Sequence, residues 1–274
     1  MTTAQKVIKY LAIAFAIFLI ITITSAVLGT VFALSGILGL KKDIEENLNA
    51  EMFTTNFENG NISTLNIEIA FTNLTIKRGD SLKVETDNNN IRFNQENEKL
   101  EIKEKNNKWF SNYEEKKLIL YLPEDIEFKK VKINTGAGKI DIEDLKTENL
   151  AFELGAGETK IQRLTVSNEC EIEGGAGKLS IRESLINDLD LDMGVGEVNL
   201  NSELTGKNQI NAGVGSLNID LQGEKELYKI QADKGLGTIK IDGKEISNGE
   251  TFGDGENYIE VDGGIGNIDI DFTN

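Results

Sequence analysis

A Gly-x-Gly triplet recurs seven times in the second half of the chain, each copy flanked by short runs that alternate apolar and polar residues. The pairs are Gly136 and Gly138, Gly155 and Gly157, Gly175 and Gly177, Gly194 and Gly196, Gly213 and Gly215, Gly235 and Gly237, and Gly264 and Gly266. Their spacings are 19, 20, 19, 19, 22 and 29 residues. A period near 20 built on strand-like alternation marks a β-solenoid, in which one repeat is one rung and buries its apolar side only by stacking on the next. The two longer spacings read as loop insertions that leave the stack undisturbed.

The columns of the repeat specify which side of each strand faces in. Four residues past the second glycine stand Ile142, Ile161, Ile181, Leu200, Ile219, Ile241 and Ile270. Two past it come Ile140, Thr159, Leu179, Val198, Leu217, Ile239 and Ile268, and three before the first glycine Ile133, Phe152, Ile172, Leu191, Ile210, Ala232 and Val261. Polar residues separate these positions, so each rung is strand, corner, strand, then a polar return carrying a further Leu or Val, as at Leu145, Leu164 with Val166, and Leu204. Rungs stack about 4.8 Å apart, which turns every column into a ladder. The glycines belong at a corner that has no room for Cβ or needs positive φ, and they are structural turn residues. The residue between them grows from Ala137, Ala156 and Ala176 through Val195 and Val214 to Leu236 and Ile265, which predicts an inward-facing corner.

Before the repeat, NIEIAFTNLTI (66–76) imitates a rung with Ala70-Phe71-Thr72 in place of the glycines, and LKVET, IRFNQ, KLEIKE and KLILYLP continue as strands. Residues 58–130 are therefore expected to form degenerate first rungs that cap the stack, with 131–274 as the regular solenoid. The fold class is all-β, a single-stack β-solenoid behind one N-terminal transmembrane helix.

That helix is predicted from residues 10–40, which carry no charge and are long enough to cross a bilayer. A cleaved signal peptide ending at Ala33-Leu34-Ser35 is the rival reading, but the apolar run far exceeds the usual length of about 7–15 residues. Residues 1–40 form the tail and anchor, and 41–57 a juxtamembrane linker. Lys6 and Lys9 on one side nearly balance Lys41 and Lys42 on the other. The purely basic nine-residue head favours an internal N-terminus, which leaves the C-terminal domain extracellular in a single-pass cell-membrane protein. The series Ser25, Gly29 and Ala33 has the spacing of a helix-packing face, although small residues are common in membrane helices.

Composition narrows the chemistry. There is no histidine, a single cysteine (Cys170) and a single proline. Ser/His/Asp triads, Cys/His pairs and the usual zinc sites are excluded, and no cofactor is indicated. Residues 1–40 hold two basic residues and no acid, which leaves 27 basic against 46 acidic residues in the remainder. A body that acidic repels nucleic acid, so none is expected as a partner. Phosphate-cradle and calcium-roll readings of the glycines fail, because strands follow every copy and Leu179 and Ile268 occupy the calcium-roll aspartate position.

Two surfaces are candidates for binding. Two residues ahead of the glycines stand Asn134, Glu153, Glu173, Asp192, Asn211, Asp233 and Asp262, and four ahead Lys132, Ala151, Glu171, Asp190, Gln209, Gln231 and Glu260. The acidic ladder of Glu153, Glu173, Asp192, Asp233 and Asp262 is either weak divalent-cation binding or a solvated face that keeps the protein soluble. The opposite columns, beginning Lys139, Glu158, Lys178 and Glu197, alternate in sign and look structural. Trp109, Phe110 and Tyr113 share one charged loop, either an aromatic contact for a protein or glycan partner or a flap over the end of the stack. Cys170 has inward parity and is expected to be an inert core thiol.

With these columns in place, LILYLPEDIEFKKVKINTGAGKIDI (118–142) and the later GGAGKLSI, GVGEVNL and GGIGNIDI resemble a bacterial β-strand-repeat family of candidate adhesins, a domain of unknown function. Within it they resemble the LiaG-like membrane proteins of Gram-positive envelope-stress operons. The resemblance spans roughly residues 60–274 and implies a cell-envelope solenoid with an undefined partner and no transferable site residues. The expected function is a membrane-anchored, non-catalytic adhesion, scaffold or interaction module related to envelope stress. The alternative is a carbohydrate-active β-helical enzyme using paired carboxylates.

Overall fold

The computed structural model describes residues 52–57, 62–105 and 115–273. The chain divides into two units, Met1–Glu51 and Met52–Asn274. The predicted membrane helix lies outside the described residues; among those described, no helix is long and apolar enough to cross a membrane. The second unit is all-β and coiled as a solenoid. Its strands are β1 (Phe53–Asn56), β2 (Thr64–Ile69), β3 (Thr72–Arg78), β4 (Lys83–Thr86), β5 (Ile91–Glu96), β6 (Lys99–Glu104) and β7 (Lys116–Leu122), then the long coiled β8 (Phe128–Asn187), β9 (Leu189–Thr205) and β10 (Lys207–Gln222). After a 3-10 turn (Lys225–Leu227) come β11 (Tyr228–Leu236), β12 (Ile239–Ile241), β13 (Lys244–Glu245), β14 (Thr251–Phe252) and β15 (Asn257–Thr273).

The repeat columns become parallel ladders. Gly177 pairs with Gly196, and Leu179 and Ile181 with Val198 and Leu200. The same register continues from β9 to β10. All three aliphatic columns face the core; their most exposed member, Thr159, is 5% exposed. Leu145, Leu164, Val166 and Leu204 close the third side from within. Alternation decides this, because a one-residue slip would turn every aliphatic side chain outward.

The order of the rungs differs from the order in the sequence at both ends. β15 lies between β10 and β11, so the Gly264 rung stacks directly on the Gly213 rung and the Gly235 rung comes last. The cause is visible in the spacings. The 22-residue step includes the 3-10 turn, which carries the chain past one level, and β13 and β14 then bring it back antiparallel so that β15 fills the gap. At the other end β2 and β3 lie between the β6–β7 rung and the first regular rung of β8. The β2–β3 segment near the start of the body and β15 at its end are thus each held between two ladders, and the outer edges are short antiparallel strands that offer little for further pairing. Residues 53–56, expected in the linker, form β1 and pair antiparallel with β4.

A buried asparagine marks the insertion. Asn208 stands in an otherwise apolar column at 2% exposure. Its Oδ1 accepts from the Leu189 amide at 3.1 Å, and its Nδ2 donates to the Thr205 and Tyr258 carbonyls at 3.2 and 3.3 Å. One side chain therefore ties β9, β10 and β15 together with its polar atoms satisfied.

The corner differs from the inward-facing one that the sequence predicts. Residues between the paired glycines face outward: Ile265 is 37% and Leu236 61% exposed, and Phe71 in the matching position is 50% exposed. The close backbone contact falls on the glycines instead. A Cβ on Gly213 would sit 2.5 Å from the Gly194 carbonyl oxygen, and one on Gly215 would land on the Gly196 carbonyl oxygen. The second glycine of each pair also takes φ near +140 to +150°, as at Gly215 with +147°. The side chain between them is left on the convex edge.

Gly215→Ala should destabilise the protein by at least about 3 kcal/mol, since it adds backbone strain to a backbone collision. Gly243→Ala, at a left-handed turn with open space around it, should cost only about 1–2 kcal/mol. Urea unfolding of the two variants checks the contrast.

Candidate interaction surfaces

The first strand of each rung presents the acidic columns outward. Glu153, Glu173, Asp192 and Asp262 are exposed, and Asp233 is half-buried. Neutral amides and one lysine break the row of like charges. Lys132 Nζ lies 2.7 Å from Glu153 Oε1, and Asn134 Nδ2 donates to Glu153 Oε2 at 3.0 Å. Asn211 Nδ2 donates to Asp192 Oδ1 at 2.7 Å. Because β15 is tucked inward, Asp262 neighbours Asn211 on one side and Asp233 on the other. The charge concentrates where Glu171 pairs with Asp190 and Glu173 with Asp192. There burial, followed by Asp192 and Glu171, pushes the Asp190 carboxyl above its ordinary pKa. Among the described residues, no three Asp, Glu or Cys side chains converge as a metal site.

The second strand presents a mixed face. Lys178 and Glu197 meet at 3.0 Å across a rung, as the alternating column predicts. Glu158 pairs at 2.9 Å with Lys160, two residues along its own strand. These are surface pairs of small individual value. At the N-terminal end Glu101 lies 3.0 Å from Lys99 and 3.3 Å from Lys103 and accepts from Asn66. Its carboxyl is held down to about 2 by the Lys99, Asn66 and Lys103 hydrogen bonds, in that order.

A third surface was not expected. The corner residues form an outward apolar row in the spatial order Phe71, Ala137, Ala156, Ala176, Val195, Val214, Ile265 and Leu236. Their growth in size is the sequence signal of this row, and it marks an outer edge where the sequence alone suggests an inward corner. Trp109, Phe110 and Tyr113 lie outside the described residues. Cys170 is fully buried, and burial pushes its thiol far above the ordinary value, so it is a core side chain.

The model of the Toastrack DUF4097 family matches residues 62–250. The chain belongs to the Toastrack family. The Toastrack match covers both tucked strands β2 and β3 and ends before β15. No curated protein matches the chain. Among solved structures, a candidate cell adhesion protein from Clostridium sporogenes is 17% identical, with 81% of this chain and 99% of that one covered, at a TM-score of 0.35. A candidate adhesin from Bacteroides fragilis is 13% identical over 80% of this chain and 97% of that one, at 0.38. A third, from Parabacteroides distasonis, is 9% identical over 82% and 98%, at 0.37.

Two of the perturbed carboxyls of this Toastrack body, Asp190 and Glu101, have opposite consequences for stability. Asp190, with a raised folded pKa, favours folding while protonated, and that contribution is lost as pH rises through its folded value. Glu101 contributes above the ordinary carboxylate range and loses its contribution as pH falls toward about 2. Asp190→Asn should therefore stabilise by about 0.2–1 kcal/mol at pH 7 and by nothing at pH 3. Glu101→Gln should destabilise at pH 7. Thermal unfolding at the two pH values, with carboxyl NMR titration of both residues, checks the signs.

Proposed function

We propose that this Toastrack protein is a single-pass membrane protein that displays its solenoid on the outer side of the cell envelope as a non-catalytic adhesion or scaffold module. The observation that carries the reading is a run of 31 uncharged residues, 10–40, directly ahead of an acidic, stacked β-body. The body supports a contact role because each outward column extends over successive rungs. Interaction is thus spread along rows, as in other solenoids. The acidic ladder runs along the outward side of the sheet and does not converge on one scissile bond, which favours contact over paired-carboxylate hydrolysis. The partner is a protein or a glycan, and the attachment is the N-terminal helix.

A membrane-impermeant amine reagent applied to intact cells that express the full chain should label lysines of residues 52–273, and the protein should remain in the membrane after alkaline extraction. Labelling that requires cell lysis would place the body inside and overturn the reading.

A further inference from the structure

One place breaks the regularity of the stack. Between Ile181 and Ser184 the β8–β9 register shifts by an irregularity of the bulge type, and Glu183 adopts φ of +47°. Bulges re-aim side chains and recur beside functional sites, and a non-glycine residue in this region of φ is strained. Here the break is mended from within. The buried Ser184 hydroxyl donates to the Arg182 carbonyl at 2.6 Å and accepts from the Leu164 amide at 3.0 Å. The backbone that carries Arg182 is thereby fixed.

Arg182 lines a groove of about 380 Å³ on the mixed face, together with Lys77, Lys160, Ser180, Gln162 and Asp141. The groove crosses four rungs, about 14 Å at the usual strand spacing. Lys77 is held with its ammonium 4.8 Å from the centre of the Tyr121 ring. Lys160 has Glu158 on one side and the repulsion of Arg182 on the other. In a chain of net charge −17, three cations line one depression against two carboxylates, Asp141 and Glu143, and the structure gives Arg182 no carboxylate partner among the described residues. Ile76, Ile142 and Ile161 contribute only backbone to the floor, because their side chains are buried in the core. The side chains open to the groove are therefore polar or charged, and no apolar side chain is presented to a lipid tail or a hydrophobic peptide. The groove offers an excess of one cation for an acid group, with two hydroxyls, an amide and two carboxylates within the same depression to bond polar hydrogens.

We propose that this groove binds an anionic saccharide, with the acid group on Arg182 and Lys160 and the sugar hydroxyls on Ser180, Gln162 and Asp141. A planar guanidinium matches a carboxylate or a phosphate through paired hydrogen bonds. The inference goes beyond the envelope reading and does not depend on the anchor, since the site lies wholly within the body.

The full-length chain in non-ionic detergent is titrated calorimetrically with an oligogalacturonate, with a phosphate-bearing oligosaccharide, and with a neutral oligosaccharide of equal length. Binding of one or both anionic sugars in preference to the neutral one is expected, and it identifies the acid group as carboxylate, phosphate or either. Arg182→Gln should weaken that binding at least about tenfold. Asp220→Asn, exposed at the far end of the same sheet, should leave it unchanged. Both side chains are exposed, so neither variant threatens folding. Equal binding of the neutral sugar, undiminished binding by the Arg182 variant, or no binding of either anionic sugar at millimolar concentration would overturn the proposal, whatever the labelling of intact cells shows.

Discussion

The molecule depends on how closely one rung can approach the next at its corner. There the carbonyl oxygen of one glycine occupies the space that a Cβ on the next rung would need. Glycine permits that approach throughout the regular rungs, and the approach accompanies the parallel register of the flanking strands. The β2–β3 rung, with Ala70-Phe71-Thr72 at its corner, holds parallel register with β8 as the end of the series. The register in turn places every aliphatic column inside and every polar column outside. The repetition of the sequence follows directly, because each rung presents its neighbour with the same steric demand.

The corner contact also explains the surfaces. A side chain held between two such glycines lies on the convex edge, so the Ala-to-Leu series becomes an external row and contributes little to the core. The two strands that diverge from the corner carry different chemistry. One concentrates carboxylates around Asp190, whose carboxyl is pushed upward by burial first and then by its acidic neighbours, and the other interleaves both signs. Gathering charge on one face while keeping the other mixed gives the body a polarity that no single residue supplies.

Much of this architecture was legible in the chain. Period, strand alternation, inward columns and the rung-like character of residues 66–76 all follow from spacing and residue type. The order of the rungs was not legible, because the Gly213, Gly235 and Gly264 repeats carry interchangeable columns and any of them can pair with any other. Only the extra residues around Lys225–Leu227 hinted at a skipped level, and an inserted loop would look the same. The groove at Arg182 was hidden for a related reason. Counted from the glycines, the spacing to the next repeat is an ordinary 19 residues, since the irregularity after Ile181 is absorbed before the next corner. Asn208 was passed over because a polar residue in a return segment is unremarkable until its column is known to be buried.

The central claim is that rungs stack in register, with the C-terminal strand inserted one level before the end. Cysteine pairs substituted on the exposed face of the second strands test it directly. Asn218 and Asp269 are lateral neighbours, as are Asp269 and Lys240, and adjacent strands place Cα atoms within reach of a disulfide. Under mild oxidation Asn218→Cys with Asp269→Cys should cross-link, as should Asp269→Cys with Lys240→Cys, while Asn218→Cys with Lys240→Cys, two levels apart, should stay reduced. Rapid cross-linking of the 218–240 pair and none of the 218–269 pair would mean that the rungs follow the order of the sequence and would contradict the architecture described.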